Sequence, residues 1–246
     1  MGVSAAMIVK NGERSIERAI NSIMDAVDEI IVVDTGSTDE TLSILNRLAE
    51  ENEKVQLHHF TWINDFSAAR NYSLSLVTHK WAFVVDDDDV LPPDQIHKPR
   101  QYTSEMDQQE REVGMYVLYK NTVNGVVNTV YERAYLRLFP SRLRYKDMIH
   151  EIVDTQGMEL LQSDIDLLHD GYDNNVVDMR QKAVRNLTLL QQNLKVDQGN
   201  ARLWMQLGRE MKSFDPAKAL HFLNRAESLT TNEGLLKWIR ESKQGL

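Results

Sequence analysis

The chain contains no cysteine, which excludes disulfides and thiolate metal sites and is compatible with a reducing cytoplasm. Glycine and proline are sparse, 11 and 5 among 246 residues, so long disordered tracts are not expected. Basic residues are outnumbered by acidic ones, 28 to 37, and the net charge of −9 argues against a general nucleic-acid binder, which needs a basic face. No apolar run approaches the roughly 20 residues that cross a bilayer. The segment from Met1 to Lys10 is too short and too lightly charged for a secretory signal. A cytoplasmic protein without a membrane span is the expectation. Neither GxGxxG nor GxxxxGK[ST] occurs, so any bound phosphate would have to be held through a metal. HExxH is also missing, because Asp154 stands where its second histidine would be.

What is present begins with an alternation. Ser4 to Val9, Glu29 to Val33, Val55 to Phe60 and Trp81 to Val85 are short apolar or β-branched runs that read as buried strands. Between them, Ile16, Ala19, Ile20 and Ile23, then Leu42, Ile44, Leu45 and Leu48, recur at helical spacing, and Phe66 to Val77 forms a third helix. Strands alternating with helices predict a mainly parallel α/β sheet covered on both faces. Asn124-Gly125 marks a hairpin, and further short strands are predicted at Met148–Val153 and Ile165–His169. After Asn175 the pattern is helical, with Val184, Leu187, Leu190 and Leu194 as one stripe. The expected boundary therefore separates residues 1–175 from a tail of 176–246.

In open α/β sheets ligands bind beyond the carboxyl ends of the strands. Three acidic positions fall there: Asp34, Asp65 and the run Asp86 to Asp89. Four adjacent carboxylates are costly without a cation, and oxygen-only clusters suit Mg²⁺ or Mn²⁺. The competing reading is a solvated acidic loop. Asp34, in Val33-Asp34-Thr35-Gly36-Ser37-Thr38-Asp39, could accept from a base N–H or a ribose hydroxyl, or could belong to an ordinary capped turn. Arg70 could bond a nucleotide, or simply pair with Asp65. Glu151 is the first candidate for a base that deprotonates an acceptor, with His150 beside it; a strand-edge salt bridge is the alternative.

Met7-Ile8-Val9-Lys10-Asn11, Asp34 to Asp39, Asp65-Phe66-Ser67-Ala68-Ala69-Arg70-Asn71 and Val85 to Leu91 occur in the order and spacing of family 2 glycosyltransferases. The chain resembles most the subgroup with a helical-repeat tail, which includes peptide S-glycosyltransferases. The likeness is strong over about residues 4–92 and looser at Arg137-Leu138-Phe139, Ile149-His150-Glu151 and His169-Asp170-Gly171-Tyr172. It implies the GT-A fold, a UDP-sugar donor, a divalent Mn²⁺ or Mg²⁺ ion and an inverting transfer to a peptide, protein or glycan acceptor. It further implies nucleotide contacts from Asp34, Asp65, Arg70 and Asp86. Asp86-Asp87-Asp88 would be the DXD motif, Asp88 and Asp86 serving the metal, Asp87 as spacer and Asp89 behind them. His169 corresponds to a late histidine that many such enzymes use as a metal ligand; an ordinary core or surface histidine is the alternative. Where the family has Lys-Asn-Glu-Glu, this chain has Lys10-Asn11-Gly12-Glu13.

Asn200 to Gly208, followed by Ala219, Phe222 and Ala226, looks like one tetratricopeptide repeat, with small Gly208 and Ala219 allowing close helix approach. A single repeat cannot bury its own face, so it is expected to pack on the catalytic domain, on the preceding helix or on another subunit, and a homodimer through the tail or an acceptor peptide held by it is the working hypothesis. Two rival readings remain. A receiver-like phosphoacceptor domain also clusters aspartates, but its acidic pair should follow the first strand, where Lys10-Asn11 stands. A non-catalytic repeat scaffold would leave the acidic run without a role.

Overall fold

The structure is a computed structural model that describes residues 2–123, 126–127, 133–169 and 179–246. The Asn124-Gly125 turn, Asp170-Gly171-Tyr172 and the expected boundary at residue 175 lie outside the described residues. The chain forms two compact units, Met1–Asp147 with Glu151–Val177, and Met148–His150 with Asp178–Leu246.

In the first unit, β1 (Val3–Val9), β2 (Glu29–Asp34), β3 (Val55–His59) and β4 (Trp81–Val84) alternate with α1 (Ile16–Ile23), α2 (Thr41–Glu51) and α3 (Phe66–Leu76). The strands lie in the order β3-β2-β1-β4, all parallel. All seven residues of β1 are buried, as a central parallel strand covered on both faces requires. Their side chains alternate between layers. Val3, Ala5, Met7 and Val9 join Ile16, Ile20 and Ile23 in one core, while Ala6 and Ile8 face the opposite side with Leu74 and Ala69.

Beyond β4 the chain makes β5 (Asp89–Val90), α4 (Lys98–Gln108), β6 (Gly114–Val123), β7 (Val126–Val127), β8 (Arg133–Pro140), β9 (Tyr145–Lys146), β10 (Ile152–Val153) and β11 (Leu160–His169). The sheet continues past β4 as β8-β6-β11-β5. β8 runs antiparallel to β4 and β6, and β5 antiparallel to β11, so the sheet is mixed. The strand predicted over Met148–Val153 shrinks to Ile152–Val153. Asp147 (φ 72°) and His150 (φ 52°) adopt left-handed backbone that an extended strand cannot contain.

The second unit holds α5 (Met179–Val196), α6 (Ala201–Met211), α7 (Pro216–Ser228) and α8 (Glu233–Lys243). Asn200, Asp215 and Asn232 cap the last three through side-chain oxygens that accept from backbone N–H groups. A Cβ on Gly208 would stand 2.7 Å from Leu223 Cγ, so α6 and α7 approach as closely as the small residues predict. The predicted stripe of α5 is rotated. Leu190 and Leu194 are buried as expected, but Val184 is exposed, and Asn186, Leu189 and Asn193 join the buried face. Among the described residues, no helix is long and apolar enough to cross a membrane.

Candidate active site

Asp34 lies at the carboxyl end of β2, and the Asp86–Asp89 run follows β4. Asp34 closes β2, almost fully buried, and accepts from the N–H of Gly36 (2.9 Å) and of Ser37 (3.1 Å). Gly36 sits at φ 104°, a conformation that favours glycine, and this lets the loop fold back over the carboxylate. The same loop is tied to the one after β1. Asn11 N donates to Ser37 Oγ at 2.8 Å, Thr38 N to Asn11 Oδ1 at 2.8 Å, and Gly12 N to Thr41 Oγ1 at 2.8 Å. The β2–β3 register places His59 opposite Asp34, with His59 Nδ1 3.9 Å from its carboxylate.

Asp65 caps α3, its Oδ1 accepting from Ala68 N at 2.9 Å. One turn on, buried Arg70 turns away from Asp65. Its Nε donates to Glu151 Oε1 at 2.6 Å and its Nη2 to Asp86 Oδ1 at 2.8 Å. The other oxygen of Asp86 accepts from Arg137 Nη2 at 2.6 Å. Burial alone would raise the Asp86 pKa, but Arg137 and Arg70 hold it well below the ordinary carboxylate range. Arg137 lies over the rings of Tyr119 (5.3 Å) and Tyr135 (5.8 Å).

Asp87 leans on the loop after β1: a Cβ at Gly12 would stand 2.7 Å from Asp87 Oδ2. Burial, reinforced by the charges of Asp88 and Asp86, pushes the Asp87 pKa up to about 8. Asp89 is fully buried and accepts from Asp86 N (2.9 Å), Tyr119 Oη (2.6 Å) and, through its other oxygen, faces His169 Nδ1 at 2.9 Å. The β5–β11 register pairs these two residues directly. His169 Nδ1 also lies 3.2 Å from Asp88 Oδ1. Burial would lower the imidazole pKa, yet the bonds to Asp88 and Asp89 outweigh it and raise it to about 11. Asp88, Asp89 and His169 each present one ligand atom, all within 4.8 Å of one another. Carboxylate oxygen with imidazole nitrogen is a donor set that Mn²⁺ accepts and Mg²⁺ tolerates. Asp86 stands apart from that trio, between its two arginines.

Glu151 joins this network through Arg70. His150 belongs to the second unit, where its Nε2 stands 3.5 Å from Glu210 Oε1 and its carbonyl accepts from Arg202 Nη2 at 2.9 Å.

This architecture has known counterparts. The model of the glycosyl transferase family 2 domain matches residues 4–166. The chain belongs to glycosyl transferase family 2. A TPR repeat-containing protein of Synechococcus elongatus is 35% identical over 164 residues, covering 66% of this chain and 38% of that protein. The SPbeta prophage-derived glycosyltransferase SunS of Bacillus subtilis is 26% identical over 237 residues, 91% of this chain and 53% of SunS. The chain thus spans about half the length, or less, of these two curated relatives. Among solved structures, S. aureus TarS 1-349 in complex with UDP aligns with a TM-score of 0.52 at 14% identity, covering 99% of this chain and 88% of that one. The mannosyltransferase PcManGT from Pyrobaculum calidifontis, in complex with GDP-Man and Mn²⁺, aligns at TM-score 0.51 and 16% identity, covering 98% and 83%. These two support the GT-A fold. With family membership the receiver-like reading falls away.

Sequence reasoning passed over two members of the site. Arg137 was visible only inside Arg137-Leu138-Phe139, with no role attached. Tyr119 carries no signal of its own, since it is one alternating position in a ten-residue strand.

Proposed function

We propose that this family 2 member transfers a sugar from a UDP-sugar to a peptide, protein or glycan acceptor, with inversion at the anomeric carbon and dependence on Mn²⁺ or Mg²⁺. The observation that carries the proposal is the single sheet edge that unites Asp34, Arg70, Asp86 and the Asp88–Asp89–His169 trio. The family match, the UDP bound to TarS and the Mn²⁺ bound to PcManGT support it.

Asp34, Asp65, Arg70 and Asp86 are assigned to the nucleotide side, and Asp88 with His169 to the metal. Asp89 already accepts from three groups, so its role is to orient His169 and close the Asp86–Asp89 turn. Each Asp86 oxygen takes one arginine bond and keeps a second lone pair with which it could serve the metal. A divalent ion bound here supplies Lewis-acid stabilisation of the departing diphosphate. Glu151 takes the proton of the acceptor hydroxyl or thiol, and Arg70 fixes the Glu151 carboxylate for that task.

The direct test is hydrolysis of a set of nucleotide-diphosphate sugars, each with Mn²⁺ and with chelator. Mn²⁺-dependent release of UDP from one UDP-sugar is the expected result. Turnover of a GDP-sugar alone, or release that chelator leaves untouched, overturns the donor or the metal assignment respectively.

A further inference from the structure

We propose that Arg137 is a positioning residue of the donor site, acting through Asp86; for the reaction it serves, the proposal rests on the transferase reading above. Two guanidinium groups from different elements, Arg70 on α3 and Arg137 on β8, each take one oxygen of Asp86. A carboxylate held at both oxygens from two directions has one orientation. The backbone of Asp86 is fixed separately, by its N–H to Asp89 Oδ2. The side-chain rotation is therefore what the arginines set.

The unused donors argue that this bracket is more than filler. The Arg137 side chain is 10% exposed, and its Nε is buried with no hydrogen-bond partner. Arg70 Nη1 and Tyr145 Oη are buried and unpartnered too, and Arg70 lies 5.5 Å from the Tyr145 ring centre. Buried guanidinium groups that only stabilise a fold usually have their N–H groups satisfied. Here Arg137 leaves Nε unpaired while keeping Nη2 on Asp86. Its flanking ring, Tyr119, also donates to Asp89, so the same strand pair orients Arg137 and the carboxylate that faces His169.

A double-mutant cycle on the full chain tests this. UDP affinity in the presence of Mn²⁺ is measured by calorimetry for wild type, Arg137→Met, Asp86→Asn and the double variant, with unfolding midpoints recorded for each. Arg137→Met is expected to weaken UDP binding about tenfold, which corresponds to roughly 1.4 kcal/mol. In the Asp86→Asn background the same change should cost less than about twofold, because contacting residues couple. Arg137→Lys, which keeps the charge but not the planar fork, should fall between and serves if the methionine variant unfolds. Losses that add across the cycle, or Arg137 variants that are folded and bind as wild type does, overturn the positioning role alone. Wild-type protein that binds no UDP overturns the transferase reading and this role with it.

Discussion

A carboxyl group whose pKa is pushed up to about 8, as at Asp87, makes the metal-free protein lose stability as pH rises. The native state holds a proton there that the unfolded chain gives up near pH ~3.9, so stability falls across the window from about 4 to about 8. His169, raised to about 11, adds a second decline from about 6.5 upwards. Asp86, held low, works oppositely: its contribution is present above the ordinary carboxylate pKa and disappears below it. Unfolding midpoints of the chelated protein should therefore drop between about pH 5 and about pH 8, and Asp87→Asn should flatten that drop. A wild-type profile that is flat or rising there contradicts the environment described for Asp87. The residues on which this depends were unequally legible. Asp34 and Asp88 could be placed because strand ends follow from apolar runs. The bracket around Asp86 could not, since Arg137 reaches it from a strand 51 residues away through antiparallel pairing that no local pattern announces.

At the scale of elements, the first four strands and three helices were readable because buried runs and helical spacing leave clear marks. Where the chain departs from expectation, the cause is backbone that sequence does not flag. Non-glycine residues at positive φ, Asp147 and His150, end the predicted Met148–Val153 strand. Two substitutions test element-level claims. Asp65 caps α3, so Asp65→Ala should cost about 1 kcal/mol of stability while Asp65→Ser, which can still cap, costs little. If Asp65→Ser also preserves UDP affinity, Asp65 serves only as a cap and its nucleotide assignment is lost. Gly12 lets the loop after β1 pass beside Asp87 and Val9; a Cβ there would stand 2.7 Å from Asp87 Oδ2 and 2.7 Å from Val9 Cγ2. Gly12→Ala should lower stability by roughly 1–3 kcal/mol, as overpacking does, with partial recovery in Gly12→Ala/Asp87→Ala because only one of the two clashes is relieved. Thermal melts of the three variants decide it, and an unchanged Gly12→Ala melt contradicts the packing.

For the whole molecule, the mixed sheet places every donor-side candidate on one edge of the first unit, and the helical unit is left with the proposed task of pairing or acceptor capture. If the tail pairs two copies, sedimentation should show a dimer that Leu220→Asp, at an exposed apolar position of α7, weakens while its unfolding midpoint stays near wild type. A wild-type monomer removes the pairing role. The central claim is that the acidic run after β4 forms, with His169, a metal site that anchors a nucleotide diphosphate. It is tested most directly by titrating UDP into the protein with and without Mn²⁺, for wild type and Asp88→Ala. The account predicts UDP binding that requires Mn²⁺ and vanishes in Asp88→Ala, while the variant keeps its unfolding transition. UDP binding of equal strength without Mn²⁺, or undiminished in Asp88→Ala, would contradict it.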